Sequence, residues 1–286
     1  MVRVSRRHQW ILCRVEWAFS FLFLATCVFQ SSASARSVPP RQASRAAATG
    51  SDAQAIAFAA QAVAAMSAGT TVADVVLTGQ ATVNVGNTSD SGTITLSALD
   101  VGESRVDITL LDGLHSQTRD ASTGVLLGQW RIASGTVKSS ALHNCRTDAA
   151  WFFPALGSLN SGANVILTYV GQEEWNGTSV QHIRSTVQSQ DSDPSVAAAE
   201  TQQSVMDFYL DAGSLLPTAI VFNSYPDNDP NTSLGIEVDF SNYETLGGVV
   251  VPTHIQKSLQ GNVMYDITVT QAQINSGLPA SMFFLQ

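Results

Sequence analysis

The feature that most constrains the fold is a run of period-two alternation between residues 215 and 274. Apolar side chains alternate with polar or small ones in four segments, residues 216–223, 234–241, 249–256 and 263–270. This alternation places one set of side chains on a buried sheet face and the other towards water. The connections are short and rich in turn-forming residues, which favours antiparallel neighbours. We predict a meander forming one long, curved sheet with an apolar inside.

Similar segments occupy most of residues 72–130, 163–188 and 205–210, with a connection at residues 173–177. They bring the prediction to about eleven strands. The 286 residues suffice for one large domain, and no internal repeat of fixed period is visible. We therefore predict a mainly β fold of the α+β class.

Residues 52–68 are predicted to form the clearest helix. Ser51 or Asp52 is suited to its N-cap, alanine dominates its interior, and Gly69 ends it. Its apolar positions fall on one narrow stripe, so we expect it to lie flat on the sheet. The stripe comprises Ile56, Ala59, Ala60, Val63, and Met66 or Ala64.

A second segment, residues 139–160, shows no period-two alternation and contains the aromatic run Trp151-Phe152-Phe153 before Pro154. We predict one or two short helices here, ended by the proline. The aromatic side chains of this insert must be buried against another apolar surface, and the uncovered apolar face of the sheet is the one expected to receive them. The N-terminal helix and this insert are therefore expected to act as a lid.

An alanine-rich cover fills little volume, so we expect a cavity between the sheet and the lid. An apolar cavity favours an apolar guest such as an acyl chain or another lipid. The side chains expected to line or cap it are Ile56, Val63, Met66, Trp151, Phe152 and Phe153.

Residues 1–35 have the form of a secretory signal, with four arginines, an apolar run at residues 17–29, and a small-x-small site ending at Ala35. An uncleaved anchor and a lipoprotein attached through Cys27 are the alternatives. Residues 36–51 are predicted to be a disordered linker, whose arginines offer a peripheral contact with anionic lipid, although a solvated spacer is the plainer interpretation. Residues 52–286 form the folded domain, placed in the periplasm or cell envelope.

Only 13% of the residues are charged, and the formal net charge is −9. An acidic balance argues against nucleic acid as a partner. Cleavage after Ala35 removes a net charge of +3, which leaves −12, and it leaves Cys145 as the single cysteine. The fold is then held by its core and not by disulfides.

The residues that suggest chemistry do not combine into a known site. His143, Cys145 and Asp148 are close in sequence, but residues two apart do not face each other on a helix. The other histidines, His115, His182 and His254, lack metal-ligand spacing, and surface positions explain His182 and His254 better. We predict no enzyme activity, no cofactor and no metal.

The C-terminal half resembles bacterial envelope proteins of the LolA/LolB-like type. The order of an exported leader followed by an alanine-rich helix is also similar, and the resemblance covers residues 52–286. The segments that carry it are Asp239-Phe240-Ser241-Asn242-Tyr243, Gly247-Gly248-Val249, Val251-Pro252-Thr253-His254-Ile255, Gly261, Asp266-Ile267-Thr268-Val269-Thr270 and Ile274-Asn275.

The resemblance implies an incomplete β-barrel lidded by helices, whose concave apolar face holds lipid, often lipoprotein acyl chains, during transfer. Arg105 and Arg119 are the strand-borne candidates for that family's lid-latching arginine. The expected function is binding, and carriage, of a lipid or lipoprotein acyl chain, with contact to envelope proteins. The alternative is a structural or interaction module of the envelope with a filled core.

Overall fold

A computed structural model of the chain describes residues 50–100, 102–120, 127–133, 135–140, 144, 147, 151–152, 164–226 and 228–286. The predicted signal peptide and nearly all of the predicted linker lie outside these residues, as does most of the predicted insert at residues 139–160. Residues Ser51–Gln286 form one compact unit.

The described residues contain two α-helices, a short 3₁₀ helix and thirteen strands. The helices are α1 (Ala53–Ser67), α2 (Pro194–Gln203) and the 3₁₀ helix (Ala280–Phe283). The strands are β1 (Asp74–Val85), β2 (Thr88–Leu99), β3 (Ser104–Leu110), β4 (Gly113–Asp120), β5 (Leu127–Arg131), β6 (Lys138–Ser140), β7 (Val165–Trp175), β8 (Thr178–Val187), β9 (Met206–Asp211), β10 (Pro217–Ser224), β11 (Leu234–Leu246), β12 (Val249–Leu259) and β13 (Asn262–Ile274). None of these helices combines the length and the apolar composition that crossing a bilayer requires.

All thirteen strands belong to one antiparallel sheet with the order β6-β5-β4-β3-β2-β1-β13-β12-β11-β10-β9-β8-β7. Strands that are neighbours in sequence pair with each other, except β6 and β7, and β1 joins β13 to link the two halves. The sheet is open, with β6 and β7 at its edges. The predicted mainly β fold, the antiparallel meander and the N-terminal helix are confirmed.

Three details of the prediction are wrong. The strand count is thirteen and not about eleven, partly because β6 has three residues, too few to show alternation. The connection expected at residues 173–177 is shorter, since β7 continues to Trp175 and only Asn176 and Gly177 form the turn, both with positive φ. Asp52 occupies the predicted N-cap position of α1, but its side chain makes no capping hydrogen bond.

One face of the sheet, here called the inner face, carries a continuous apolar core, and the opposite face is called the outer face. In the C-terminal meander the inner face holds the side chains that the alternation predicted. Its buried members on the strands are Val75, Leu77, Ala81, Val83, Ile94, Leu96, Ala98, Val106, Ile108, Leu167, Ile183, Met206, Phe208, Leu210, Ile220, Phe222, Ile236, Val238, Phe240, Val249, Val251, Ile255, Ile267 and Val269.

Helix α1 lies on the inner face and contacts β12, β7 and β8. Its 15 residues give a length of about 22 Å at a rise of about 1.5 Å per residue. Strands β12 and β7 are separated by five strand spacings, or roughly 24 Å along a flat sheet. The helix is therefore nearly as long as the flat distance from β12 to the β7 edge, and it contacts both of these strands.

The C-terminal segment packs on the outer face of β3 to β5. Phe283 and Leu285 are buried there, and the amide of Leu285 donates to the side chain of Gln129 at 2.8 Å. Arg105 donates through Nη1 to the carbonyl of Met282 and through Nε to Asp107. Arg105 therefore attaches the C-terminus to the outer face and lies away from the helix that covers the inner face.

Candidate functional site

The inner face and its cover, α1, form the candidate site. The helix turns a row of small side chains towards the sheet, since Ala55, Ala59 and Ala62 are each at most 1% exposed and Met66 is 3% exposed. The predicted stripe is wrong at Ile56, which is 44% exposed on the opposite side of the helix. Alanines allow a close approach to the sheet, so the alanine row and not the bulkier isoleucine faces it.

The start of α1 is attached to the edge strand β7. The amide of Asp52 donates to the carbonyl of Leu167 at 2.8 Å, and the amide of Leu167 donates to Ser51 Oγ at 3.0 Å. The carboxylate of Asp52 accepts from the amide of Tyr169 at 2.9 Å. These bonds occupy part of an edge that would otherwise present free backbone groups. They also explain why Asp52 does not cap its own helix.

Two aromatic side chains from the predicted insert belong to the inner core. Trp151 and Phe152 are each 2% exposed, and their rings meet edge to face with centroids 5.3 Å apart. Val63 is half-buried against the same core, whereas Phe153 lies outside the described residues. The structure thus places Val63, Met66, Trp151 and Phe152 in one apolar core, and their contact with a guest stays a prediction.

A lysine lies among these apolar groups. Lys257 occupies an inner-face position of β12 between Val238 on β11 and Tyr265 on β13, and it is 4% exposed. Its Nζ lies 5.1 Å from the ring centroid of Trp151. Sequence reasoning missed this residue, although continuing the alternation from Val249, Val251 and Ile255 reaches position 257 and places it on the apolar side.

The outer face carries a partly buried polar group, here called the outer cluster, which consists of Glu173, Trp175, His182, Arg184, Asp207 and Tyr209. His182 is 3% exposed, so the prediction that it lies on the surface is wrong. Its ring lies 4.5 Å from that of Tyr209, which stacks on Trp175 at 3.9 Å. Tyr209 covers the histidine, and Trp175 at the end of the long strand β7 covers Tyr209 in turn.

Asp207 is the centre of the outer cluster. Its carboxylate accepts from His182 Nε2 at 2.8 Å and from Arg184 at 2.8 and 3.0 Å. Burial raises the pKa of this carboxyl, but the hydrogen bonds from His182 and Arg184 outweigh it and hold the pKa below its usual value. Glu173 Oε1 approaches the other ring nitrogen of His182 at 2.6 Å. The cluster joins β7, β8 and β9 and is suited to holding them together.

A second acidic position lies nearby on β11. Burial and the charge of Glu237, together with a hydrogen bond that the protonated carboxyl of Asp239 donates to Glu237, raise the pKa of Asp239 to about 6. Asp239 pairs across the sheet with Ala219 of β10. The burial of Tyr209 likewise raises the pKa of its phenol. The surroundings of Asp239 and Tyr209 therefore favour the uncharged forms of these two groups, in contrast to those of Asp207.

Ser241, His254 and Asp266 form a hydrogen-bonded row across β11, β12 and β13. Ser241 Oγ lies 3.0 Å from His254 Nδ1, and His254 Nε2 lies 3.0 Å from Asp266 Oδ1. The residue types match those of serine hydrolases, yet the histidine and aspartate side chains are 33% and 40% exposed on the outer face. Water screens such a row, and we interpret it as a cross-strand polar network.

The remaining candidates do not assemble into a chemical site. Among the described residues, no group of three or more His, Cys, Asp or Glu side chains is arranged to hold a metal ion. His115 is buried with Nε2 2.8 Å from Asp112. Cys145, His143, Asp148 and Phe153 lie outside the described residues. Arg119 pairs with Ser104 in the ladder and shares the inner side of the sheet with Val106, unlike Arg105.

No protein-family model and no curated protein matches the chain. Solved structures do match. A Vibrio parahaemolyticus domain assigned to outer membrane lipoprotein sorting is 14% identical with a TM-score of 0.52, covering 80% of this chain and 97% of that one. A DUF1329 family protein from Desulfovibrio piger is 14% identical with a TM-score of 0.50 and the same coverages. A LolA superfamily protein from Nitrosomonas europaea is 13% identical with a TM-score of 0.49, covering 81% and 97%.

At these identities the first two matches show the fold alone. The open antiparallel sheet covered by helices is the architecture of an outer membrane lipoprotein-sorting domain. The resemblance that the sequence suggested is thereby confirmed at the level of the fold.

Proposed function

We propose that this protein is exported to the bacterial cell envelope, binds an acyl chain or another lipid on the inner face of its sheet, and acts as its carrier. The protein is not an enzyme in this proposal, and it requires no cofactor. The fold shared with a lipoprotein-sorting domain and the predicted signal peptide support the location. Delivery implies contact with envelope proteins or with the membrane surface.

The observation that carries the proposal is the contrast between the inner face and its cover. The face is apolar over most of its strands, whereas α1 contributes mainly alanines to the contact. Burying one methyl group contributes about 0.8 kcal/mol, against roughly 1.5–3 kcal/mol for a leucine. An alanine-faced helix is therefore held weakly for its length, and a guest chain offers the sheet a more apolar partner.

The attachment of α1 suggests how the cover opens. Ser51 and Asp52 hold its N-terminal end on β7, whereas Ala68 and Gly69 adopt positive φ and end the helix at its other side. A helix fixed at one end and packed through small side chains moves as a flap. Trp151 and Phe152 belong to the same apolar core as the buried face of this helix.

Uptake of a fluorescent fatty acid by the purified protein tests the proposal. Trp151→Asp and Phe152→Asp are expected to weaken uptake at least tenfold, because each places a charge on the apolar site. Ile56→Asp, on the exposed side of α1, and Cys145→Ala are the controls and are expected to change uptake less than threefold. Circular dichroism checks that each variant is folded. If Trp151→Asp does not fold, Trp151→Leu is the milder substitution to use in its place. Equal effects of all four substitutions contradict the proposal.

A filled envelope module that binds proteins is the second candidate, favoured by the nearly complete burial of Trp151 and Phe152. In that case the wild-type protein takes up no fatty acid.

A further inference from the structure

Trp151 carries a polar group into the apolar inner core. Its side chain is 2% exposed, and its Nε1, which can only donate, meets no hydrogen-bond partner among the described residues. Lys257 and Phe152 lie against its ring, but an ammonium group is itself a donor, and a phenyl ring offers at most the weak acceptor of its face. The indole N–H is therefore buried without a good acceptor.

The packing of this core explains an aromatic ring at position 151 but not its N–H group. Buried polar groups are nearly always hydrogen-bonded, and one without a partner lowers stability. The contact with Lys257 does not require an indole, because phenyl rings also attract ammonium groups through their faces. The ring of Phe222 faces the same Nζ at 6.0 Å without carrying a polar atom. The unpaired donor therefore points to an acceptor that comes from outside the chain.

The chain places this donor towards one end of the sheet. Asn144 is fixed just beyond the end of β10, since its Oδ1 accepts from the amide of Tyr225 at 2.8 Å and its Nδ2 donates to the carbonyl of Tyr225. The ring of Trp151 then lies over Lys257, two residues before the end of β12. Strands β10 and β12 run in the same direction, because each is antiparallel to β11. A guest with its polar end at Trp151 would therefore have the apolar inner face available for its chain.

The geometry points to Trp151 Nε1 as the hydrogen-bond donor to an acyl carbonyl oxygen of the guest, whose hydrocarbon chain lies along the inner face. A carbonyl oxygen is the acceptor that an acyl group carries directly at the end of its chain, in an ester as in a carboxylic acid. This inference rests on the proposed lipid-binding function and narrows it to guests that contain an acyl carbonyl, as against ethers and plain hydrocarbons. Trp151 is then a residue that determines specificity as well as part of the core.

Displacement of a fluorescent hydrocarbon probe tests the inference with methyl palmitate and hexadecyl methyl ether, which differ only by a carbonyl in place of a methylene group. The wild-type protein is expected to bind the ester about fivefold more tightly, as one net hydrogen bond implies. Trp151→Phe is expected to bind both guests equally. Trp175→Phe removes another buried indole N–H without a partner, on the outer face, and is expected to retain the preference. Palmitate is the third guest, and whichever of palmitate and its ester binds more tightly identifies the source of the carbonyl.

Infrared spectroscopy observes the proposed bond itself, with methyl palmitate isotope-labelled at the carbonyl. A hydrogen bond lowers the carbonyl stretching frequency, so the bound ester is expected to absorb at a lower frequency than in hexadecane, in the wild-type protein and in Trp175→Phe. In Trp151→Phe the frequency is expected to match that in hexadecane. A tryptophan that only filled space would change the affinity for every guest without moving this frequency.

Two results would overturn the role of Trp151 and leave the proposed function intact. One is equal affinity of the wild-type protein for the ester and the ether, and the other is a lowered carbonyl frequency that persists in Trp151→Phe. Binding of none of the three guests would overturn both. If Trp151→Phe fails to fold, the wild-type spectrum decides, because a carbonyl frequency equal to that in hexadecane contradicts the hydrogen bond.

Discussion

Asp239 and Asp207 lie on the same outer face, yet their surroundings move their pKa values in opposite directions. Asp239 is half-buried beside the like charge of Glu237, whereas Asp207 accepts hydrogen bonds from two basic side chains. Each carboxyl therefore contributes to stability in a different range of pH. Substituting each one is expected to change the free energy of unfolding with a different pH dependence.

Asp239→Asn is expected to stabilise the protein at pH 8 and to change little at pH 4. The pKa of Asp239 is raised in the folded state to about 6, so its contribution is complete below its unfolded pKa and is lost as the pH rises through 6. Asparagine resembles the protonated acid and removes that loss, worth roughly 1 kcal/mol after solvent screening. Urea unfolding at the two pH values measures it. An effect of the same size at both would contradict the assignment.

Asp207→Asn is expected to lower the free energy of unfolding by about 2–4 kcal/mol at pH 7, since it removes the negative charge that Arg184 and His182 share and one of the two oxygens that accept from them. The pKa of Asp207 is lowered in the folded state, so its contribution exists above the usual carboxyl pKa and is lost as the pH falls through the folded value. The loss should therefore shrink at pH 3. Asp266→Asn, with a side chain 40% exposed, is the control and should cost less than about 1 kcal/mol.

At the scale of elements, two glycines let strands approach more closely than a side chain permits. A Cβ at Gly79 of β1 would lie 1.9 Å from the carbonyl oxygen of Thr268 on β13, and one at Gly92 of β2 would lie 1.9 Å from that of Thr109 on β3. Gly79 also follows an irregularity in the β1–β13 register. Because β1–β13 joins the two halves of the sheet, this contact affects the whole domain.

Gly79→Ala is expected to lower the free energy of unfolding by about 3 kcal/mol or more, because the clash is with backbone and forces β1 and β13 apart. Gly235→Ala in β11 is the matched control: no atom lies within 4 Å of its added Cβ, and its φ is not positive. Chemical denaturation compares the two. Similar losses would mean that glycine flexibility, and not the close approach, sets the effect.

The sequence predicted those elements whose two faces differ. Strands β10 to β13 follow from their alternation, and α1 follows from its alanines and from Gly69. Thr88 to Asp90 at the start of β2 are polar on both faces and show no period. The orientation of α1 depends on how closely its alanines approach the sheet, a tertiary property. The position of Lys257 could be read from the same alternation, whereas the burial of His182 depends on the ring of Tyr209 beside it on β9, a contact between strands.

At the scale of the whole molecule, the row of Ser241, His254 and Asp266 provides the sharpest test of the proposal that the protein is not an enzyme. Ser241 lies on the exposed outer face, where a hydroxyl gains little from a histidine screened by water. A fluorophosphonate probe is expected to label the native protein no more than Ser241→Ala or the heat-denatured protein. Labelling confined to native protein with Ser241 would contradict that proposal.

The central claim concerns what the inner face holds. Native mass spectrometry of the protein purified without detergent from a bacterial envelope fraction tests it most directly. The account predicts an added mass equal to one acyl-chain lipid, which is retained under gentle activation and reduced in Trp151→Asp. A spectrum that contains only the bare polypeptide, both after purification and after incubation with lipid, would contradict it.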